Sequence, residues 1–159
     1  MNSSFTINPR VIAHLGEALI KNESIALLEL IKNSYDAMAS TCDVFFYHEK
    51  NILSAITITD DGEGMDFDTI TKKWLVIGTD NKKRLLNEGI EKKYNRLPLG
   101  EKGIGRLGVH KLGNKIRLIT RKQNAEEIEL SINWSELDKV SAIEEFKIEI
   151  NRHKEPSFF

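Results

Sequence analysis

An α+β fold is what this sequence predicts, on three observations. Two helix-length apolar patterns open the chain, strand-like runs follow, and no strict βαβ alternation connects them. Helices followed by strands suit an antiparallel or mixed sheet with helices on one face. The 159 residues fit one domain with a sizeable core, and 40% hydrophobic with 30% charged residues is ordinary for a soluble globular protein.

The elements are expected in this order. Residues 10–21 and 23–38 read as consecutive helices, with Asn22 or Ser24 able to cap the second. Strands are expected at 43–48 and 54–60, the latter alternating apolar and hydroxyl side chains through Ala55-Ile56-Thr57-Ile58-Thr59. A glycine turn at 62–64 leads to a helix over 66–77. Residues 78–101 lack periodicity and contain Gly89, Pro98 and Gly100, and a loop of that length in a compact domain is often a functional lid. A short helix at 104–112 and strands at 115–122, 126–133 and 144–150 complete the reading.

Several classes are set aside. The amino terminus, Met1-Asn2-Ser3-Ser4-Phe5-Thr6, has neither the basic nor the apolar region of a signal peptide, and no run approaches a membrane span. Cytoplasmic location is therefore expected. The net charge of −1 creates no global field toward nucleic acid or a membrane, which leaves a nucleic-acid partner undetermined. A single cysteine, Cys42, excludes an internal disulfide and reads as a buried thiol at a strand start.

Three segments carry chemistry. In the second helix, Glu29, Lys32, Asn33 and Asp36 fall in a stripe of about 100° on an otherwise apolar surface. Taken alone, that is a solvent-facing polar edge. After the strand at 54–60 comes Asp60-Asp61-Gly62-Glu63-Gly64-Met65. Two glycines let the backbone turn tightly and approach a ligand, and a carboxylate at a strand end can accept from an exocyclic amine. An ordinary acidic turn is the plain alternative; a calcium loop does not match the EF-hand spacing. The third segment, Gly100-Glu101-Lys102-Gly103-Ile104-Gly105-Arg106-Leu107-Gly108, opens a helix whose N–H groups would attract an anion. Residues 82–106 hold eight lysines and arginines against three carboxylates, which suits a triphosphate or simply a solvated loop. No P-loop motif occurs. Gly103, Gly105 and Gly108 match a dinucleotide fingerprint, but the preceding Arg96 to Glu101 does not read as the strand that fingerprint requires.

Together the segments resemble the GHKL superfamily: DNA gyrase B subunits, large heat-shock chaperones, histidine kinases and MutL-type repair proteins. The matching motifs are Glu29-x-x-x-Asn33-x-x-Asp36-Ala37, Asp60-x-Gly62-x-Gly64, Gly100 to Gly105, and Thr120 ending Ile116-Arg117-Leu118-Ile119-Thr120, in the family's order over about residues 8–135. The resemblance implies a Bergerat-type two-layer α/β sandwich with a mixed, mostly antiparallel sheet, binding ATP and Mg²⁺. It implies Glu29 as general base for the water attacking the γ-phosphate and Asn33 as the Mg²⁺ ligand, with Asp36 supporting the pocket. Asp60 would accept from the adenine amine over a floor of Gly64 and Met65, with Gly62 in the same ATP site and Thr120 at the same edge. Lys102, Gly103, Ile104 and Gly105 would hold the phosphates, Gly78-Thr79 would form a hinge, and residues 78–101 would close as the lid.

A glutamate at position 29 sides with the hydrolytic MutL-, MORC- and chaperone-like branch. The absence of a convincing acceptor box at His14, His48, His110 or His153 sides the same way, and a histidine-kinase ATP domain passing phosphate to a partner histidine is the alternative. An interaction module with a lost nucleotide site is another. Such ATPases often receive a γ-phosphate cation from a following domain, so the chain is expected to be the amino-terminal fragment of a longer protein, a slow ATPase acting as a nucleotide-driven switch. ATP-dependent homodimerisation would then run through residues 1–20. The resemblance leaves the downstream target open.

Overall fold

The computed structural model describes residues 6–77, 96, 99 and 105–155. Helix α1, Arg10–Leu19, closes with the Ile20 N–H on the Gly16 carbonyl at 2.9 Å; Ile12 within it and Ile20 just after it are buried. Helix α2, Glu23–Asp36, starts at the expected cap: the Asn22 side chain accepts from the Ile25 N–H at 3.0 Å. It ends in a Schellman arrangement, with Met38 N–H on the Tyr35 carbonyl and Ala39 N–H on the Ser34 carbonyl, both at 3.1 Å. Met38 takes the left-handed position, φ 65°.

Strands β1 (Cys42–Glu49) and β2 (Ile52–Asp60) form an antiparallel hairpin. Its two-residue turn, Lys50-Asn51, has positive φ at both positions, the conformation whose twist matches that of the flanking strands. A three-stranded antiparallel sheet follows: β3 (Lys115–Arg121), β4 (Glu127–Asn133) and β5 (Glu149–His153), in that order. The expected α+β class holds. The described pairings are all antiparallel and lie in two sheets.

Side chains alternate faces along a strand, so register identifies the core face. Ile116 pairs with Ile132, Leu118 with Leu130, Leu130 with Ile150, and Thr120 with Ile128. Ile128, Leu130 and Ile132 are buried with Ile70, and Met65, Trp74, Trp134, Phe146 and Ile148 pack around them. Thr120 therefore projects from the core face at the end of β3. The outer face is charged: Arg117 grips Glu129 with two bonds of 2.8 and 2.9 Å.

Two expected elements differ. The helix expected over 66–77 is a short α-turn, Phe67–Thr69, continuing as a π-turn, Ile70–Trp74. The strand expected at 144–150 lies at 149–153 instead, because 143–145 close into a 3₁₀ turn. The Glu145 carboxylate causes this, accepting from the Ser141 and Ala142 N–H groups at 2.9 and 3.4 Å. A second 3₁₀ turn, Trp134–Lys139, follows β4, and a third, Gly105–Lys111, packs against α1 and α2 where a short helix was expected.

Candidate functional site

Helix α2 and the end of β2 are joined by a buried hydroxyl. Ser34, 3% exposed, donates to Asp60 Oδ2 at 2.8 Å. Sequence reasoning passes over Ser34, although a buried hydroxyl on the apolar side of an amphipathic helix must find a hydrogen-bond partner. The Cys42 thiol lies 3.5 Å from the same hydroxyl. Cys42 is half-buried, not fully enclosed as expected, because β1 is open to solvent along most of its length.

Asp60 is exposed at the end of β2, and its other oxygen accepts from the Gly62 N–H at 3.0 Å. An ionised carboxylate offers about four acceptor sites, so two bonds leave room for an incoming N–H donor. The turn is built to lie close. A Cβ at Gly62 would stand 2.8 Å from the Ala37 carbonyl and 2.9 Å from the Ala37 Cβ, where Glu63 N–H binds that carbonyl at 2.8 Å. Gly64 has φ 64°, and a Cβ there would collide with the Arg121 carbonyl. Any side chain at 64 would push the turn off β3. The next residue makes the bond this approach permits: the Met65 N–H donates to Thr120 Oγ1 at 2.9 Å. Asp60, Gly62, Gly64, Met65 and Thr120 are thus brought together.

The neighbouring carboxylates are committed elsewhere. Asp61 accepts from the Ser40 and Thr41 N–H groups at 2.7 and 2.8 Å, and these bonds, Thr41's first, stabilise its ionised form and hold its pKa below the usual carboxylate range. Asp66 caps the turn at Thr69 and pairs with Lys122 at 3.0 Å. Asp68 pairs with Lys72.

On α2, Glu29 is half-buried and its Oε1 lies 2.7 Å from the Lys32 ammonium, while Asn33 is exposed. Asp36 Oδ1 accepts from the Leu99 N–H at 2.8 Å. Arg96 lies nearby, its guanidinium 5.0 Å from the centre of the Tyr35 ring and donating to the Ala39 carbonyl at 2.8 Å. The last turn of α2 therefore holds two residues of the 78–101 segment. Tyr35 and Arg96 are not foreseeable, since a cation on an aromatic face leaves no spacing signature. Thr79, Lys102, Gly103 and Ile104 lie outside the described residues. Gly105 opens the third 3₁₀ turn, and Gly108 in that turn packs so near Ile20 that a Cβ would collide with its side chain.

A helix edge bearing a carboxylate and a carboxamide is thus joined to a glycine turn with an exposed acceptor, Asp60, whose spare capacity suits an amine donor. The chain belongs to the histidine kinase-, DNA gyrase B- and HSP90-like ATPase family, whose model matches residues 21–157. It is accordingly an ATP-binding domain of that family. No curated protein matches the chain. Among the described residues, no helix is long and apolar enough to cross a membrane.

Proposed function

We propose that the chain binds Mg·ATP between α2 and the Asp60–Met65 turn and hydrolyses it slowly, as a nucleotide-driven switch. The observation that carries this reading is the Ser34–Asp60 bond, because it fixes the proposed base helix to the proposed adenine acceptor. Asp60 accepts from the adenine amine, Gly62, Gly64 and Met65 underlie the ring, and the Thr120 hydroxyl keeps its own proton to donate at the same edge. Asn33 offers its amide oxygen to Mg²⁺, which would neutralise phosphate oxygens. Lys102, Gly103, Ile104 and Gly105 supply the phosphate contacts, and Thr79 lies at the start of the lid, residues 78–101. Asp36 supports the pocket through its hold on Leu99.

In the hydrolytic step, a water oxygen bonds to the γ-phosphorus and passes its proton to Glu29. The bond between the γ-phosphorus and the bridging oxygen breaks, and its electron pair leaves with ADP. General-base catalysis is typically worth 10²–10⁴-fold. Glu29→Ala should therefore lower phosphate release by about that factor while Mg·ATP still binds. Undiminished hydrolysis would remove Glu29 from the mechanism. Transfer of phosphate to a partner histidine that survives the substitution would favour a kinase.

A further inference from the structure

We infer that Lys32 is a positioning residue that aims the Glu29 carboxylate at the attacking water; this rests on the proposed role of Glu29 as base. The Lys32 ammonium lies 2.7 Å from Glu29 Oε1, one turn along the helix, and both side chains are largely shielded, 31% and 24% exposed. At 100° per residue, Lys32 stands about 60° to one side of Glu29 and Asn33 about 40° to the other. The ammonium therefore holds the carboxylate from the side away from the proposed metal ligand. Oε2 has no hydrogen-bond partner among the described residues, so one oxygen is anchored and the other is open to water.

A glutamate has three side-chain torsions, and proton transfer needs the accepting oxygen within hydrogen-bond reach of the water. Small misplacements of a reacting group are expensive in rate. Anchoring Oε1 removes most of that freedom without occupying the oxygen that takes the proton. The pair does little for the helix itself, since ion pairs at this spacing contribute only slightly to helix stability, so removing the lysine should leave the fold intact.

The test uses Lys32→Met, Lys32→Arg, Glu29→Gln and the Lys32→Met/Glu29→Gln double variant in the full chain, each with Mg·ATP. Lys32→Met should lower kcat about tenfold, with KM and the calorimetric affinity for Mg·ATP unchanged, and Lys32→Arg should recover part of the loss. In the Glu29→Gln background, Lys32→Met should have no further effect. A readout independent of turnover is the nitrogen-15 signal of the Lys32 ammonium in the nucleotide-free protein. It should be protected from solvent exchange in the wild type and lost in Glu29→Gln.

Weaker Mg·ATP binding with kcat preserved would overturn the proposal, placing Lys32 on phosphate. Unchanged kcat, or an ammonium signal that survives Glu29→Gln, would also overturn it. If Glu29→Gln itself leaves hydrolysis intact, or the wild type binds Mg·ATP without turnover, the hydrolytic reading fails and this inference with it. A protected ammonium signal in that case would still report the ion pair, which separates the two failures.

Discussion

Asp60, Asp61 and Asp66 lie within seven residues, from the last residue of β2 onward, yet each is held by a different set of donors. Asp60 stays exposed with acceptor capacity to spare, Asp61 fastens the loop before β1, and Asp66 starts the next helical turn. The Thr69 bonds, and secondarily Lys122, hold Asp66 well below the usual carboxylate range. A carboxyl more acidic folded than unfolded binds fewer protons in the native state, so stability rises with pH across the interval and is lost as pH falls. The interval begins near the ordinary value of about 3.9 and extends downward. Asp66→Asn keeps a capping oxygen but removes the charge. It should be less stable than the wild type at pH 7 in urea unfolding, and the two should converge below about pH 4. A constant difference across that range would mean the charge does not matter. Motif order makes Asp60 and Thr120 legible in the sequence, whereas Ser34 emerges only when β2 is seen beside α2.

Helix α2 is legible almost to the residue, because an apolar stripe, an Asn cap and the absence of proline all agree. Its end is less so. Chains that turn left-handed after a helix usually place glycine there, and here the position holds Met38. An L-residue in that conformation costs about 1–2 kcal/mol, while added glycine freedom in the unfolded chain costs about 0.4–1 kcal/mol. Relief of strain outweighs the added freedom. Met38→Gly should thus stabilise the protein by about 0.5–1 kcal/mol in urea unfolding, and a loss would mean that packing by the half-buried methionine outweighs its strain. The displaced last strand has the opposite lesson. Phe146, Ile148 and Ile150 alternate as a strand should, but the backbone hydrogen bonds near Ser141 are closed locally by Glu145, so pairing starts only at Glu149. Periodicity reports which side chains face the core and does not report which backbone groups pair.

Across the whole molecule, the α+β class and the family are readable from four short motifs in order, and the match over residues 21–157 establishes the family. The junction between the two sheets is not readable, since it is made by the Gly64–Arg121 approach and the Met65–Thr120 bond rather than by any run of residues. That junction and the Ser34–Asp60 bond unite helix, turn and sheet around one exposed carboxylate. Calorimetric titration of Mg·ATP into the wild type and into Asp60→Asn tests this organisation most directly. A hydrogen bond to a charged group contributes about 1.5–3 kcal/mol, so wild-type binding should weaken by roughly ten- to 150-fold in the variant. Equal affinity in two folded proteins would contradict Asp60 as the adenine acceptor and place the nucleotide elsewhere.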